Sequence, residues 1–487
     1  MTRSTLTPTT LLLGLALWLC SAVSPAQAVA RDDAETYYVF GVGYLDIGDL
    51  PHAITNYSKA IALDPTYTKA YYGRGVAYAQ QQELDKALAD LTRAIELDPT
   101  MLSAYRNRGL LLMQRGDTKA AMADFTALIE RNPKAAEGSL YRAKLRRVQG
   151  DLAGALDDYV QAIAVDAYAG EAYNGRAHVR LEQGDLEGAI ADDTQAIRLK
   201  YELPATYRDR ADAYAQLGKV DDALADYAKA IELKPDEALG YQARAALYLR
   251  QGHLDDALAD YTKAIERDPK NADLYWKRAD VRYQQEHWTE AEADYTRAIN
   301  LHPDYYEEDL ARLYYDRALA REQRGDVAGA IADDTEAIER HPDDADAYRQ
   351  RGMLRIRQKE LPGAEADFTR LIELKADAAA YEARSWVRLQ RVDFQGAIAD
   401  TTKALTLNPY SAGAYANRAD ARGRSGDLEG GLADLNQAIA LASEPLKSKL
   451  EVTRQQVQAN LEQANAQREQ AVRTKPAGRG GKHSPTG

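Results

Sequence analysis

The chain has 487 residues, 45% apolar and 28% charged, a balance that excludes a wholly disordered polymer. Its 62 basic and 75 acidic side chains leave a net charge of −13, which argues against a general nucleic-acid binder. One cysteine and seven scattered histidines exclude an intrachain disulfide, a cysteine metal site and an HExxH centre, so no metal or cofactor is expected. Tyrosine is the odd entry: 31 Tyr stand beside 4 Phe and 4 Trp. Such a bias suggests one short pattern written many times.

Residues 1–30 read as a secretory signal, with Arg3 as the one charge and a 13-residue apolar run from Leu11 to Val23. That run is too short to span a bilayer comfortably, and no later segment is apolar enough. Ala26-Gln27-Ala28 and Ala28-Val29-Ala30 place small residues for cleavage after Ala28 or Ala30. Lipid anchoring at Cys20 is the rival reading, but Leu19 and Trp18 ahead of it are larger than lipidation needs. Export, with a periplasmic destination, is the expectation.

From residue 34 a 34-residue word recurs twelve times, starting at 34, 68, 102, 136, 170, 204, 238, 272, 311, 345, 378 and 412. Position 4 is Tyr in eleven repeats and Ser139 in the fourth. Position 8 is small throughout, from Gly41 to Ala419. Position 20 is Ala in eleven repeats and Gly431 in the last, and position 32 is Pro in eight. These residues resemble the tetratricopeptide repeat (TPR) family over most of the chain. The resemblance implies an all-α, right-handed α-solenoid of twelve helix-turn-helix repeats, with the first helices lining a concave side.

The spacing supports two helices per repeat: Ala70, Tyr71, Val76 and Tyr78, then Leu84, Ala87, Leu88, Leu91, Ala94 and Ile95. Gly-Asp pairs such as Gly116-Asp117 and Gly150-Asp151 predict a left-handed glycine ending the first helix and an aspartate capping the second. Neither helix is long enough to be stable alone, so repeats must bury their faces against one another. Position 7 is Arg and position 23 is Asp in repeats two to twelve, and repeat one lacks both, with Phe40 and Asn56. Their joint loss predicts an ion pair within each repeat rather than a ladder that grips an anionic ligand.

The twelve repeats divide into residues 34–303 and 311–445, separated by a five-residue excess within 304–310 that reads as a hinge. Residues 446–472 predict a polar capping helix. Residues 473–487 predict a basic disordered tail, with weak contact to an anionic envelope surface as its conceivable use.

The resemblance places positions 2, 5, 9 and 12 on the concave face. There the later repeats carry large apolar groups and a few charges. Trp276, Tyr283, Arg312, Tyr315, Arg349, Met353 and Trp386 are the groove candidates, with Asp280, Leu319, Ile356 and Leu389 beside them. Aromatic anchors with charges at the rim suit a peptide or helix from a partner protein. The earlier lining, including Arg106, Lys144, Arg147 and His178, reads as a solvated face. No repeat has Lys at 5 or Asn at 9, so the carboxylate-clamp specialisation does not carry over. The leading reading is an exported, non-enzymatic scaffold for protein or peptide partners in a bacterial envelope, without nucleic acid or a membrane span. A permanent subunit of an envelope secretion or polysaccharide-assembly complex is the second. No nucleophile elbow, phosphate loop or metal constellation supports an enzyme.

Overall fold

A computed structural model describes residues 25–301 and 306–473. The apolar run of the leader, part of the 304–310 stretch and the basic tail beyond Arg473 lie outside the described residues. Among those described there are twenty-five helices and no strands: twelve helix pairs, A and B, then a single helix Leu446–Arg473. The chain falls into two compact units, Met1–Pro235 and Asp236–Gly487. Within each, every helix packs on the next in sequence, the arrangement of an α-solenoid.

The turn between A and B is set by position 15, which is left-handed in all twelve repeats. Eight are glycines, from Gly218 at φ 73° to Gly426 at φ 96°. Gln82, Glu286, Lys359 and Val392 adopt the same conformation without glycine's freedom. Where the next residue is aspartate it caps helix B as expected, whereas Glu83, Lys219, His253 and Glu360 make no side-chain cap. Asp151, Asp185 and Asp427 each accept a hydrogen bond from the backbone N–H three residues on, at 2.9–3.0 Å.

Small residues at position 8 are required by the side chain at 24. A Cβ on Gly109 would lie 2.6 Å from the Phe125 ring. Position 24 is a buried aromatic or Leu in nine repeats, among them Tyr57, Tyr159, Tyr261 and Phe368. In repeats five and nine it is Asp193 or Asp334, both fully buried. Burial pushes these carboxyls up to about 8 and about 9, because it disfavours the charged form.

All eleven Arg–Asp pairs form within their own repeat. In repeat two, Arg74 Nε donates to Asp90 Oδ2 at 2.7 Å and Nη2 to Oδ1 at 2.8 Å. The same fork closes in every later repeat to Arg418–Asp434. The carboxylates are buried, none more than 7% exposed. In nine of the eleven the remaining guanidinium nitrogen reaches back to a hydroxyl of the preceding repeat, as in Arg210 to Thr194 at 2.9 Å and Arg351 to Thr335 at 3.1 Å; Val160 and Ala228 stand in that place before Arg176 and Arg244. In nine repeats the position-4 tyrosine ring lies against the guanidinium, at 5.5 Å for Tyr348 and Arg351. A second arginine, at position 11, joins the same carboxylate in seven repeats. Arg146 Nη1 donates to Asp158 at 2.9 Å and to the Gly154 carbonyl at 3.1 Å.

The five-residue excess enters a lengthened helix A in repeat nine, Glu307–Gln323, of 17 residues. After repeat twelve, Leu450 packs with Leu435 and Ile439, which seats the last helix on the final helix B.

Two stability outcomes follow. Arg244→Ala strands the carboxylate of Asp260, 4% exposed, and should cost about 3 kcal/mol in urea unfolding. Val392→Gly relieves a β-branched residue at φ 65° and 66% exposure, and should stabilise by about 1 kcal/mol, read as a higher melting temperature.

Candidate functional site

The groove candidates all stand on A helices of the unit Asp236–Gly487: Ala272–Gln284, Glu307–Gln323, Ala345–Arg357 and Ala378–Gln390. Helical spacing puts positions 5, 9 and 12 on one face, turned away from the buried positions 3 and 10. The structure gathers six of the seven into two depressions and leaves one between the sets.

The first depression is open, apolar and about 600 Å³ in volume. Arg349, Met353 and Ile356 form one wall, and Trp386 and Ala383 the other. Phe368, at position 24 and buried, lies at its floor. Met353 is 51% exposed and Trp386 38%, so two large apolar side chains face solvent over one hollow. The rim is charged. Arg349 donates to Asp377 at 2.9 Å, and Glu382 accepts from the Ser411 hydroxyl at 2.7 Å.

The second depression is smaller, about 330 Å³, and polar. Trp276, Tyr283 and Arg312 line it with Asp280, Tyr295, Asp316 and Leu319. The Trp276 indole donates to Asp316 Oδ2 at 3.1 Å, and Arg312 Nε lies 2.9 Å from Oδ1. Tyr295 donates its hydroxyl proton to Asp280 at 3.0 Å, and Lys277 lies 3.5 Å from the other Asp280 oxygen. Burial pushes the Asp316 carboxyl up to about 6, against the pull of Arg312 and Trp276 and with the help of Asp280. Burial also raises Asp280. Tyr283 stacks edge-on against Trp288, with ring centroids 4.8 Å apart.

Tyr315 lines neither of these hollows. Its ring lies 5.2 Å from the Arg312 guanidinium, and burial pushes its phenol up to about 12. Leu389 is not a groove residue: it is 2% exposed and packs with Ala397 and Ala421 in the core. Asp316, Glu382, Asn417 and Phe368 belong to the two hollows but stand outside the four positions or had no residue type to mark them. For Asp316 the sequence held no clear signal: position 6 varies from Gly73 and Ala243 to Asn107, Lys277 and Gln350, and repeat six has Asp209 there as well.

The lining of the earlier repeats is satisfied by itself. Arg106 pairs with Glu137 at 3.1 Å and Arg147 with Glu182 at 2.8 Å, Lys144 pairs with Glu171, and His178 lies 3.2 Å from Asp209. No group of three or more His, Cys, Asp or Glu that could hold a metal occurs among the described residues.

Comparison with known proteins addresses the repeat. Models described as tetratricopeptide repeat or TPR repeat match residues 74–146, residues 43–82 and 211–252, and residues 142–204, 242–306 and 315–379, together more than half of the chain. Among solved structures, a tetratricopeptide repeat protein from Parabacteroides merdae is 22% identical, covering 51% of this chain and 99% of its own, with a TM-score of 0.42. YrrB, a TPR protein with an unusual peptide-binding site, is 25% identical over 37% of this chain and 93% of its own, with a TM-score of 0.32. PilF from Pseudomonas aeruginosa is 18% identical over 43% and 94%, with a TM-score of 0.36. No curated protein sequence matches the chain.

The raised Asp316 carboxyl has a pH signature. Its folded value, about 6, lies above its ordinary 3.8, so the folded state holds the proton more tightly. Its contribution to stability is full below the ordinary value, falls as pH rises to about 6 and is flat above. Asp316→Asn should therefore flatten that part of the melting-temperature profile. An unchanged profile would refute the assignment.

Proposed function

Because the chain belongs to the tetratricopeptide repeat family, a family of protein-interaction scaffolds, we propose that it is a non-catalytic scaffold that grips a peptide segment of a partner protein on the A helices of repeats eight to eleven. The observation that carries this reading is the pair Met353 and Trp386, both substantially exposed over one apolar hollow of about 600 Å³. Exposed large apolar groups around a concavity are the usual anchors of an interface, and Trp, Met and Arg are enriched in interface cores. Arg349 and Glu382 at the rim, of opposite sign, would fix the direction of the bound segment. Trp276, Tyr283 and Arg312, with Tyr315 alongside, would contact the same segment further along the groove.

The placement in the cell envelope rests on residues 1–30. Cleavage after Ala28 or Ala30 would trim the described helix Pro25–Asp46 near its start and leave Tyr37 and every later repeat residue in place. The excess of acidic over basic groups on the repeats suits a protein partner rather than nucleic acid.

The test starts from a displayed library of random peptides selected against the full chain. Met353→Ala combined with Trp386→Ala should weaken the selected peptides at least tenfold, with little change in melting temperature, because Met353 is half and Trp386 over a third in solvent. Selected peptides that bind the double variant as tightly as the parent chain would place the partner site elsewhere.

A further inference from the structure

The joint between repeats uses one face of helix A. Positions 3 and 10 on that face are buried in the interior repeats: Ala172 and Val179 in repeat five, Leu274 and Val281 in repeat eight, Ala347 and Leu354 in repeat ten. Position 7, between them, is the arginine that reaches back to the preceding hydroxyl.

In repeat one the same face is exposed among the described residues. Thr36, Val39, Phe40, Gly43 and Ile47 follow helical spacing along one stripe, and all five are exposed. Val39 is 58% exposed, Phe40 54% and Ile47 75%. A Cβ built on Gly43 meets nothing within 4 Å. The segment 36–45 carries no charged residue, and Phe40 stands where each later repeat has its arginine. A terminal repeat ordinarily turns a polar face to solvent; this one turns an apolar stripe.

We propose that this stripe joins two copies of the chain head to head about a two-fold axis. The stripe is complementary to itself. Phe40 projects one helical turn from the notch at Gly43, so the ring of each copy can sit over the notch of the other. The absence of charge means that no ionic partner is needed across the joint. An ordinary helix B is the wrong occupant, since position 25 in most repeats offers a hydroxyl to an arginine and Phe40 cannot donate to it. The last helix B of the chain is closed to it as well, because Leu450 of helix Leu446–Arg473 already packs on Leu435 and Ile439. Head-to-head pairing ends at two copies and buries both stripes, whereas a head-to-tail stack has no open end to receive them.

Sedimentation velocity over a dilution series tests the pairing, on the chain recovered from expression with its N-terminus read by intact mass. The parent chain should run at twice its monomer mass at the upper concentrations. Phe40→Asp places a charge in the joint, and Gly43→Leu fills the notch where the isolated chain has open space. Each should weaken the dimer at least tenfold while the helical circular dichroism is unchanged, and Gly43→Leu should also raise the melting temperature as a helix-interior glycine is replaced. Val452→Asp, on an exposed position of the last helix, should leave the dimer intact. A parent chain that stays monomeric throughout, as it would if another segment or protein covers the stripe, overturns the proposal. So does a dimer that survives both stripe variants.

Discussion

A carboxylate buried between two helices has to be paired, and this chain buries one at position 23 in eleven of twelve repeats. Asp158, Asp333 and Asp367 are each 2% exposed, and an unpaired charge at that depth would cost several kcal/mol. The pairing arginine approaches as a fork, which fixes both the rotation of helix A and its height against helix B. Everything around it serves the same contact. The position-4 tyrosine lies against the guanidinium in nine repeats, a second arginine or a tyrosine stands at position 11 in all but one repeat, and in nine repeats the hydroxyl at 25 of the preceding repeat takes the spare nitrogen. One ion pair thus couples the register within a repeat to the joint with its neighbour. The tyrosine excess is one consequence of it.

That rigid frame sets what the groove can present. With A and B locked, the side chain at 24 fills the floor and forces small residues across from it, as Phe125 does to Gly109. Where the floor is Phe368, the walls above it leave an apolar hollow with Met353 and Trp386 in solvent. Where it is Tyr295, the hydroxyl draws Asp280 inward and the neighbouring hollow becomes polar, with Asp316 held between Trp276 and Arg312. The two hollows differ because of one atom on the floor residue and the carboxylates that answer it. Asp193 and Asp334 at the same position are a third solution, a buried acid in place of a ring.

Some of this was legible in the residues and some was not. The Arg–Asp pairing was, because repeat one lost both partners together. The second arginine was missed because position 11 alternates: Tyr44, Tyr78, Leu112, Tyr214 and Tyr248 share it with seven arginines, so no single type recurs. Leu389 and Ile356 occupy the same position, yet Leu389 is core and Ile356 lines the groove; the difference is the packing of Ala397 and Ala421 over one of them. Asp316 sits one position off the expected groove set and enters it because the Trp276 indole reaches for it across the repeat boundary.

The sequence by itself determined the period, the number of repeats, the two-helix form of each repeat and the partner of every position-7 arginine. Those depend on local rules: helical spacing, a left-handed residue between helices, an aspartate cap, and a charge that needs its opposite in the same 34 residues. Only the tertiary structure decided which of the groove residues reach solvent, that they divide into an apolar and a polar hollow, and that the first helix A carries an exposed apolar stripe with Val39 and Phe40. Exposure is a property of what the neighbouring helix covers. The same apolar letter is core under a following repeat and surface at the end of the stack.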